Sequence, residues 1–186
     1  MKSFPLYGLY EKTLLDLKAG KRPNLTLSPE ELAQCKDYFI KLNGLNAETN
    51  DYLPLLALLD HSRKSHPDLQ DPLIEVLKNR QEPELLVHCL SCCLKVIIGE
   101  CERKGERIPF KLLEALKVPL THSNLEVLEW ALRVLEQTGS QSILLKENAR
   151  AIRLKPWPIF SKHKKNIKAL LEFLEKRWNP APQRRR

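Results

Sequence analysis

Apolar residues recur at the three- and four-residue spacing of a helix along almost the whole chain. One short alternating stretch, NLTL at 24–27, directly precedes a helix-start signal, so it predicts a lead-in to that helix rather than a β-strand. The pattern therefore predicts an all-α protein. The predicted helices cover residues 6–19, 29–43, 51–64, 72–79, 84–101, 109–118, 124–138, 142–153 and 162–178.

The second of these helices has well-marked ends. Ser28 stands at the N-cap position, Pro29 follows at the first helical position, and Glu31 comes three residues after the cap. This arrangement predicts a capping box, in which the two side chains bond each other's backbone N–H groups. Gly44 stands where the helix should end, since glycine is common just past a helix C-terminus.

A second capping box is predicted at the start of helix 124–138. Ser123 and Glu126 have the same three-residue spacing as Ser28 and Glu31. Gly139 then marks the position where this helix should stop.

Two segments in the middle of the chain echo each other. LIEVLK at 73–78 recurs as LLEALK at 112–117, a separation of 39 residues. In the helix that follows each copy, LKVI at 94–97 recurs as LRVL at 132–135, a separation of 38. Each copy is a short helix, a tight polar turn and a longer apolar helix, and helix pairs with about this period are typical of repeat proteins.

Residues 72–139 resemble two HEAT- or armadillo-type repeats on the strength of this echo. The resemblance covers about a third of the chain, and the Asp and Arg that usually mark the turn inside a HEAT repeat are absent. It implies a right-handed array of stacked helix pairs, with an irregular helical bundle as the alternative architecture.

Three cysteines and a histidine lie close together in VHCLSCCLK at 87–95. At about 100° per residue, Leu90, Cys93 and Ile97 fall on one line with Cys89 beside them, so these two cysteines are expected in the core. His88 and Cys92 fall on the opposite, polar side. They are two ligands at most, whereas a structural zinc site needs four. No metal, cofactor or catalytic thiol is predicted, and Cys92→Ser is expected to be far milder than Leu90→Ala.

One class of enzyme with a HEAT-like fold resembles this chain in size and basicity, namely the alkylpurine DNA glycosylases. In that family an aspartate, an arginine and tryptophans line a DNA groove. Trp130 and Arg133, one helical turn apart, fit this pattern superficially, but no aspartate follows Asp71. Glu126 or Glu129 would have to take its place, and Trp130 shares a stripe with apolar residues that predicts burial.

The positive charge is concentrated at the C-terminal end. Residues 1–150 hold 20 Lys and Arg against 21 Asp and Glu, whereas residues 151–186 hold 11 against 2. SKHKK at 161–165 places cations at a helix start, where the helix dipole disfavours them, and this favours a binding role. The predicted binding residues for a partner or polyanion are Trp157, Lys162, His163, Lys164, Lys165, Lys168, Arg184, Arg185 and Arg186.

These observations predict a non-catalytic interaction module, an adaptor or scaffold that binds a protein or peptide and uses its basic end for an acidic surface. Nucleic-acid binding through the same end is the alternative, and DNA glycosylase activity is the third reading. We expect one helical domain over 1–178 and a disordered basic tail over 179–186. The N-terminus carries no targeting signal, no apolar run is long enough for a membrane span, and the clustered cysteines predict reduced thiols in the cytoplasm.

Overall fold

The computed structural model describes residues 4–45, 47–62, 66–154 and 161–179. These residues form helices and no β-strand, with one isolated parallel bridge between Leu25 and Ser62. The all-α prediction is therefore confirmed for the described part of the chain. The α-helices are α1 (Tyr7–Lys18), α2 (Pro29–Asn43), α3 (Thr49–His61), α4 (Gln70–Asn79), α5 (Pro83–Cys93), α6 (Gly99–Lys104), α7 (Phe110–Leu116), α8 (Leu125–Gln137), α9 (Lys146–Arg150) and α10 (Lys162–Trp178).

The contacts divide the chain into two compact units, Met1–Arg107 and Ile108–Arg186. The sequence pattern predicted one domain over residues 1–178. Helices α1 to α6 belong to the first unit and α7 to α10 to the second. The two predicted repeats consequently fall in different units, one in α4 and α5 and the other in α7 and α8.

The first unit is built around α5, which packs against α3 and α4. Helix α2 of the same unit begins at a capping signal in the local sequence. Ser28 accepts a hydrogen bond from the Glu31 backbone N–H at 3.2 Å, and Glu31 accepts one from the Ser28 N–H at 2.7 Å. The predicted capping box is therefore confirmed.

The single helix predicted over 84–101 is three segments in the structure. Helix α5 ends at Cys93, a π-helical segment covers Leu94–Ile98, and α6 follows. Within the π-helical segment, Lys95 Nζ donates to the carbonyl oxygen of Asp60 in α3. Val96, Ile97 and Ile98 are all buried. The departure from the α-helix thus occurs at a turn that bonds α3 through Lys95 and buries Val96, Ile97 and Ile98.

The cysteines of this helix lie in the core, as predicted for Cys89 and Cys93, but Cys92 was placed wrongly. All three side chains have no exposed surface. The Cys92 thiol lies 3.3 Å from the carbonyl oxygen of Leu56, to which it donates. Cys92 is buried because α3 covers the side of α5 that the sequence pattern assigned to solvent. His88 is exposed, so the two residues do not share a polar face.

The second unit is built around α8, against which α10 packs. The predicted cap of α8 is wrong by one residue. Asn124, not Ser123, is the N-cap, and its Oδ1 accepts from the backbone N–H groups of Glu126 and Val127 at 2.9 and 3.2 Å. Asparagine is as good an N-cap as serine, and the chain uses the residue nearer the helix.

The helix predicted over 142–153 is also different in the structure. Residues Gly139–Leu145 form a 3₁₀ helix, and the α-helix that follows, α9, is short. Ser142 Oγ donates to the carbonyl oxygen of Gly139 at 2.7 Å inside this 3₁₀ segment. Among the described residues, no helix combines the length and the apolar character that crossing a lipid bilayer requires.

Candidate binding surface on the C-terminal helix

Helix α10 begins and ends where the sequence pattern predicted. Ser161 caps it, its Oγ accepting from the Lys164 backbone N–H at 3.4 Å. Ile167, Leu174 and Trp178 of the predicted apolar stripe are buried, and Leu170 and Leu171 are half-buried. The Trp178 indole N–H donates to Ser142 Oγ at 2.9 Å. The apolar side of α10 is thus fixed to the rest of its unit.

The carboxylate of Glu129 joins α8 to α10. It is 5% exposed, and its Oε1 accepts from Arg133 Nε at 3.0 Å and from Asn166 Nδ2 at 2.9 Å. Its Oε2 lies 2.8 Å from His163 Nδ1. Burial raises the pKa of Glu129, but the hydrogen bonds from Arg133, His163 and Asn166 outweigh burial and hold that pKa below its ordinary value.

The cations around α10 divide into two groups. Those near α8 and α9 have acidic partners: Arg133 pairs with Glu129, and Arg150 pairs with Glu175 at 2.6 Å. Four lysines, Lys162, Lys165, Lys168 and Lys176, are exposed. Across the part of the chain that the structure describes, none of these four forms an ion pair with Asp or Glu.

We call these four residues the lysine face. They lie within about 120° of arc around α10 and extend about 21 Å along its axis. Glu172 is an exposed acidic residue within the same arc. The lysine face therefore presents several full positive charges on a rigid helix, opposite the side that packs on α8.

The predicted binding residues do not all lie on this face. Lys162, Lys165 and Lys168 do, but Lys164 is only 8% exposed. His163 is half-buried and bonded to Glu129. Lys164 is buried because it projects from the side of α10 that packs against the rest of its unit, whereas 41% of the His163 side chain stays exposed. Trp157 and Arg184, Arg185 and Arg186 lie outside the described residues.

Lys176, which lies on the lysine face, was not among the predicted binding residues. It follows Lys168 and Glu172 at four-residue spacing, and this helical periodicity is the signal that identifies it. Glu129 and Asn166 were not singled out as a link to His163 either. No local pattern reveals that link, since Glu129 and His163 are 34 residues apart in sequence.

The residues that carry the glycosylase resemblance lie near one another on α8. The Arg133 guanidinium stands 5.9 Å from the centre of the half-buried Trp130 ring. Glu126 is exposed, and both oxygens of Glu129 are occupied by hydrogen bonds from side chains of the same unit. Glu129 is therefore held by contacts within its own unit.

The thiols of the first unit have a chemistry suited to a protein interior. Burial is the main cause that raises the pKa of Cys89, of Cys92 and of Cys101, and burial raises the pKa of Cys35 to about 12. Thiols with raised pKa values are weak nucleophiles and weak metal ligands at neutral pH. In the described ranges, no group of three or more His, Cys, Asp or Glu side chains is arranged to hold a metal ion.

Comparison of the chain with protein-family models, with curated proteins and with solved structures found no match.

Proposed function

We propose that the chain is a non-catalytic interaction module of the helical-repeat type, which binds an acidic protein or peptide surface through the lysine face of α10. The observation that carries this proposal is the set of four exposed lysines without acidic partners in the described residues, beside other cations that are paired. Exposed like charges on one rigid helix repel one another, and an acidic partner relieves that repulsion.

The burial pattern of the internal echo supports the repeat architecture. In LIEVLK the two residues before Glu75 and the two after it are all buried. In LLEALK the two residues before Glu114 and the two after it are likewise buried. In the second echo, Val96 and Ile97 are buried, as are Val134 and Leu135. These equivalent positions face the interior in both copies, as helix-pair repeats require, whereas Leu94 is half-buried and its counterpart Leu132 is buried.

The charge pattern favours an acidic protein over a nucleic acid. Glu172 interrupts the lysine face, and a carboxylate facing a phosphate backbone is repulsive, whereas a protein surface can offer a positive or neutral group there. Residues 1–150 are close to neutral, so the rest of the chain adds no general attraction for a polyanion. The enclosed Glu129 likewise gives no support to the glycosylase reading.

A cytoplasmic location belongs to the same proposal. All five cysteines are free thiols buried in the protein, and such clustered free thiols are typical of proteins in reducing compartments.

The proposal can be tested with a labelled glutamate-rich peptide and fluorescence anisotropy. The variant Lys162→Gln/Lys165→Gln/Lys168→Gln removes three charges from the lysine face. The matched control removes three exposed lysines from the first unit, Lys12→Gln/Lys18→Gln/Lys41→Gln. We expect the first variant to lose most of its affinity and the control to keep it.

A duplex DNA of mixed sequence provides the second arm of the experiment. If DNA binds more tightly than the peptide, and log affinity falls with log salt at a slope of about −3 to −4, the lysine face contacts phosphates and the nucleic-acid reading replaces ours. If the two triple variants weaken peptide binding equally, only the net charge matters and the proposed surface is wrong.

A further inference from the structure

A groove of about 340 Å³ lies between α8 and α10, two helices of the same unit. Six residues line it, two from α8 and four from α10. They are Arg133 and Glu136, and Asn166, Ala169, Leu170 and Phe173.

The sequence of α10 explains the groove. Residues four apart form a row along a helix, and Lys165, Ala169 and Phe173 form such a row. Ala169 is exposed and has a single methyl group as its side chain, whereas its two neighbours in the row have long side chains. The row therefore has a depression at Ala169. A depression of this kind accepts a side chain of a second helix that packs against the first.

The α10 wall of the groove is apolar and partly uncovered. Leu170 is half-buried, and the Phe173 side chain is 48% exposed. The Arg177 guanidinium lies 4.8 Å from the centre of the Phe173 ring, and its Nη1 donates to the carbonyl oxygen of Glu136 in α8. The aromatic ring is thus exposed and flanked by a fixed arginine. Aromatic residues and arginine are the residue types that contribute most at the centres of protein interfaces.

The groove borders the lysine face. Ala169 lies within the arc of the four lysines, and Phe173 is one helical turn from Lys176. On the opposite rim, Arg133 and Glu136 each have an ion-pair partner within the unit. Among the described residues, the positive charges beside the groove that lack an ion-pair partner are therefore the lysines of α10.

We propose that this groove receives the apolar side of an acidic amphipathic helix, whose carboxylates lie toward the lysine face. The inference rests on the proposed function and deepens it, because it names the form of the acidic partner. Leucines four residues apart on the partner helix lie against Ala169, Leu170 and Phe173, and the glutamates beside them face the lysines. Amphipathic helices bind grooves in this way, with apolar anchors at three- and four-residue spacing.

The test uses three labelled glutamate-rich peptides of equal length. The one-face peptide has two leucines four residues apart, which lie on the same side of a helix. The two-face peptide has the same composition with its leucines two residues apart, on opposite sides of a helix. The glutamine peptide has both leucines replaced by glutamine. Fluorescence anisotropy with the full chain should show the one-face peptide binding about tenfold more tightly than either of the others.

Variants of the groove make the test specific. Phe173→Ala should weaken binding of the one-face peptide about tenfold and leave the glutamine peptide unchanged, because only the leucines contact the ring. Ala169→Gln places a long side chain in the depression and should have the same effect, since residue 169 is exposed and glutamine is a good helix former.

Phe110→Ala is the matched control. It removes a phenylalanine that is 64% exposed at the start of α7 in the same unit, away from the lining of the groove. The control should leave the affinities for all three peptides unchanged. Melting temperatures of the three variants check that each of them folds.

Equal affinities for the one-face and glutamine peptides would overturn the proposal, as would equal effects of Phe173→Ala and Phe110→Ala. Equal affinities for the one-face and two-face peptides would overturn the helical form of the partner. All these results leave the proposed function standing if the triple lysine variant still weakens binding of the glutamine peptide. If the triple variant binds that peptide as wild type does, the proposed function itself fails, and the groove has no acidic helix to receive.

Discussion

The Cys92 thiol is buried because a neighbouring helix, α3, covers it. The thiol is enclosed against the backbone of α3, 3.3 Å from the Leu56 carbonyl oxygen. Serine is smaller and more polar than cysteine, and burying a hydroxyl in an apolar core costs about 1–3 kcal/mol. We therefore expect Cys92→Ser to lower the free energy of unfolding by about 1–3 kcal/mol, and Leu90→Ala to lower it by about 2–5 kcal/mol.

Urea unfolding of both variants measures these changes. His88→Ser is the matched control, because His88 is exposed one turn before Cys92 and its replacement should change stability by less than about 0.5 kcal/mol. Cys92→Ser would behave like this control if the thiol faced solvent, as the sequence pattern alone suggested. That outcome would contradict the packing of α3 on α5.

The helices differ in how far the local sequence determines their bounds and their type. The bounds of α2 and α10 were predicted correctly, those of α2 from its capping box and those of α10 from its helical periodicity, and both signals are contained in the segment itself. The π-helical turn at Leu94–Ile98 was missed because it goes together with a contact between Lys95 and a residue 35 positions earlier. Helical periodicity identified the lysines of α10 but not which of them a neighbouring helix covers, so it did not show that Lys164 is buried.

The charge of Glu129 links two elements, α8 and α10, and a substitution at this residue tests the link. Glu129→Gln removes the charge that holds Arg133 and His163, while leaving an amide of similar size. Hydrogen bonds to charged groups contribute about 1.5–3 kcal/mol, and Arg133 remains partly solvated when it loses this partner. We expect the variant to lower the free energy of unfolding by about 1–3 kcal/mol at pH 7.

The pH dependence of this loss follows from the direction of the pKa shift. The pKa of Glu129 is lower in the folded protein than its ordinary value of 4.5, so its ionised form stabilises the fold. This contribution is fully present above pH 4.5 and is lost as the pH falls through the folded-state pKa. Urea unfolding of wild type and Glu129→Gln from pH 7 to pH 3 should therefore show a difference that shrinks below pH 4.5.

The exposed residue Glu172 on α10 provides the control, since Glu172→Gln should change stability little at any pH. A Glu129→Gln effect that stayed constant down to pH 3 would mean that the charge of Glu129 adds nothing to stability. The loss would then come from hydrogen bonds that the neutral carboxyl also makes.

At the scale of the whole molecule, charge is separated along the chain, with a near-neutral part up to residue 150 and a strongly basic part after it. Trp178 is the last buried residue of the described chain, and Asn179 is bonded to Glu175. Deleting residues 180–186 should therefore leave the melting temperature unchanged. It removes three arginines, so it should weaken binding of the glutamate-rich peptide.

Comparison with the triple lysine variant of α10 decides where binding resides, because both changes remove three positive charges. The three lysines lie on a helix that packs on α8, so contacting a partner through them costs little conformational entropy. We therefore expect the deletion to weaken peptide binding less than Lys162→Gln/Lys165→Gln/Lys168→Gln does. Anisotropy titrations of both chains at low and moderate salt measure this difference. A deletion that abolished binding, beside a triple variant that retained it, would move the binding surface from α10 to the tail.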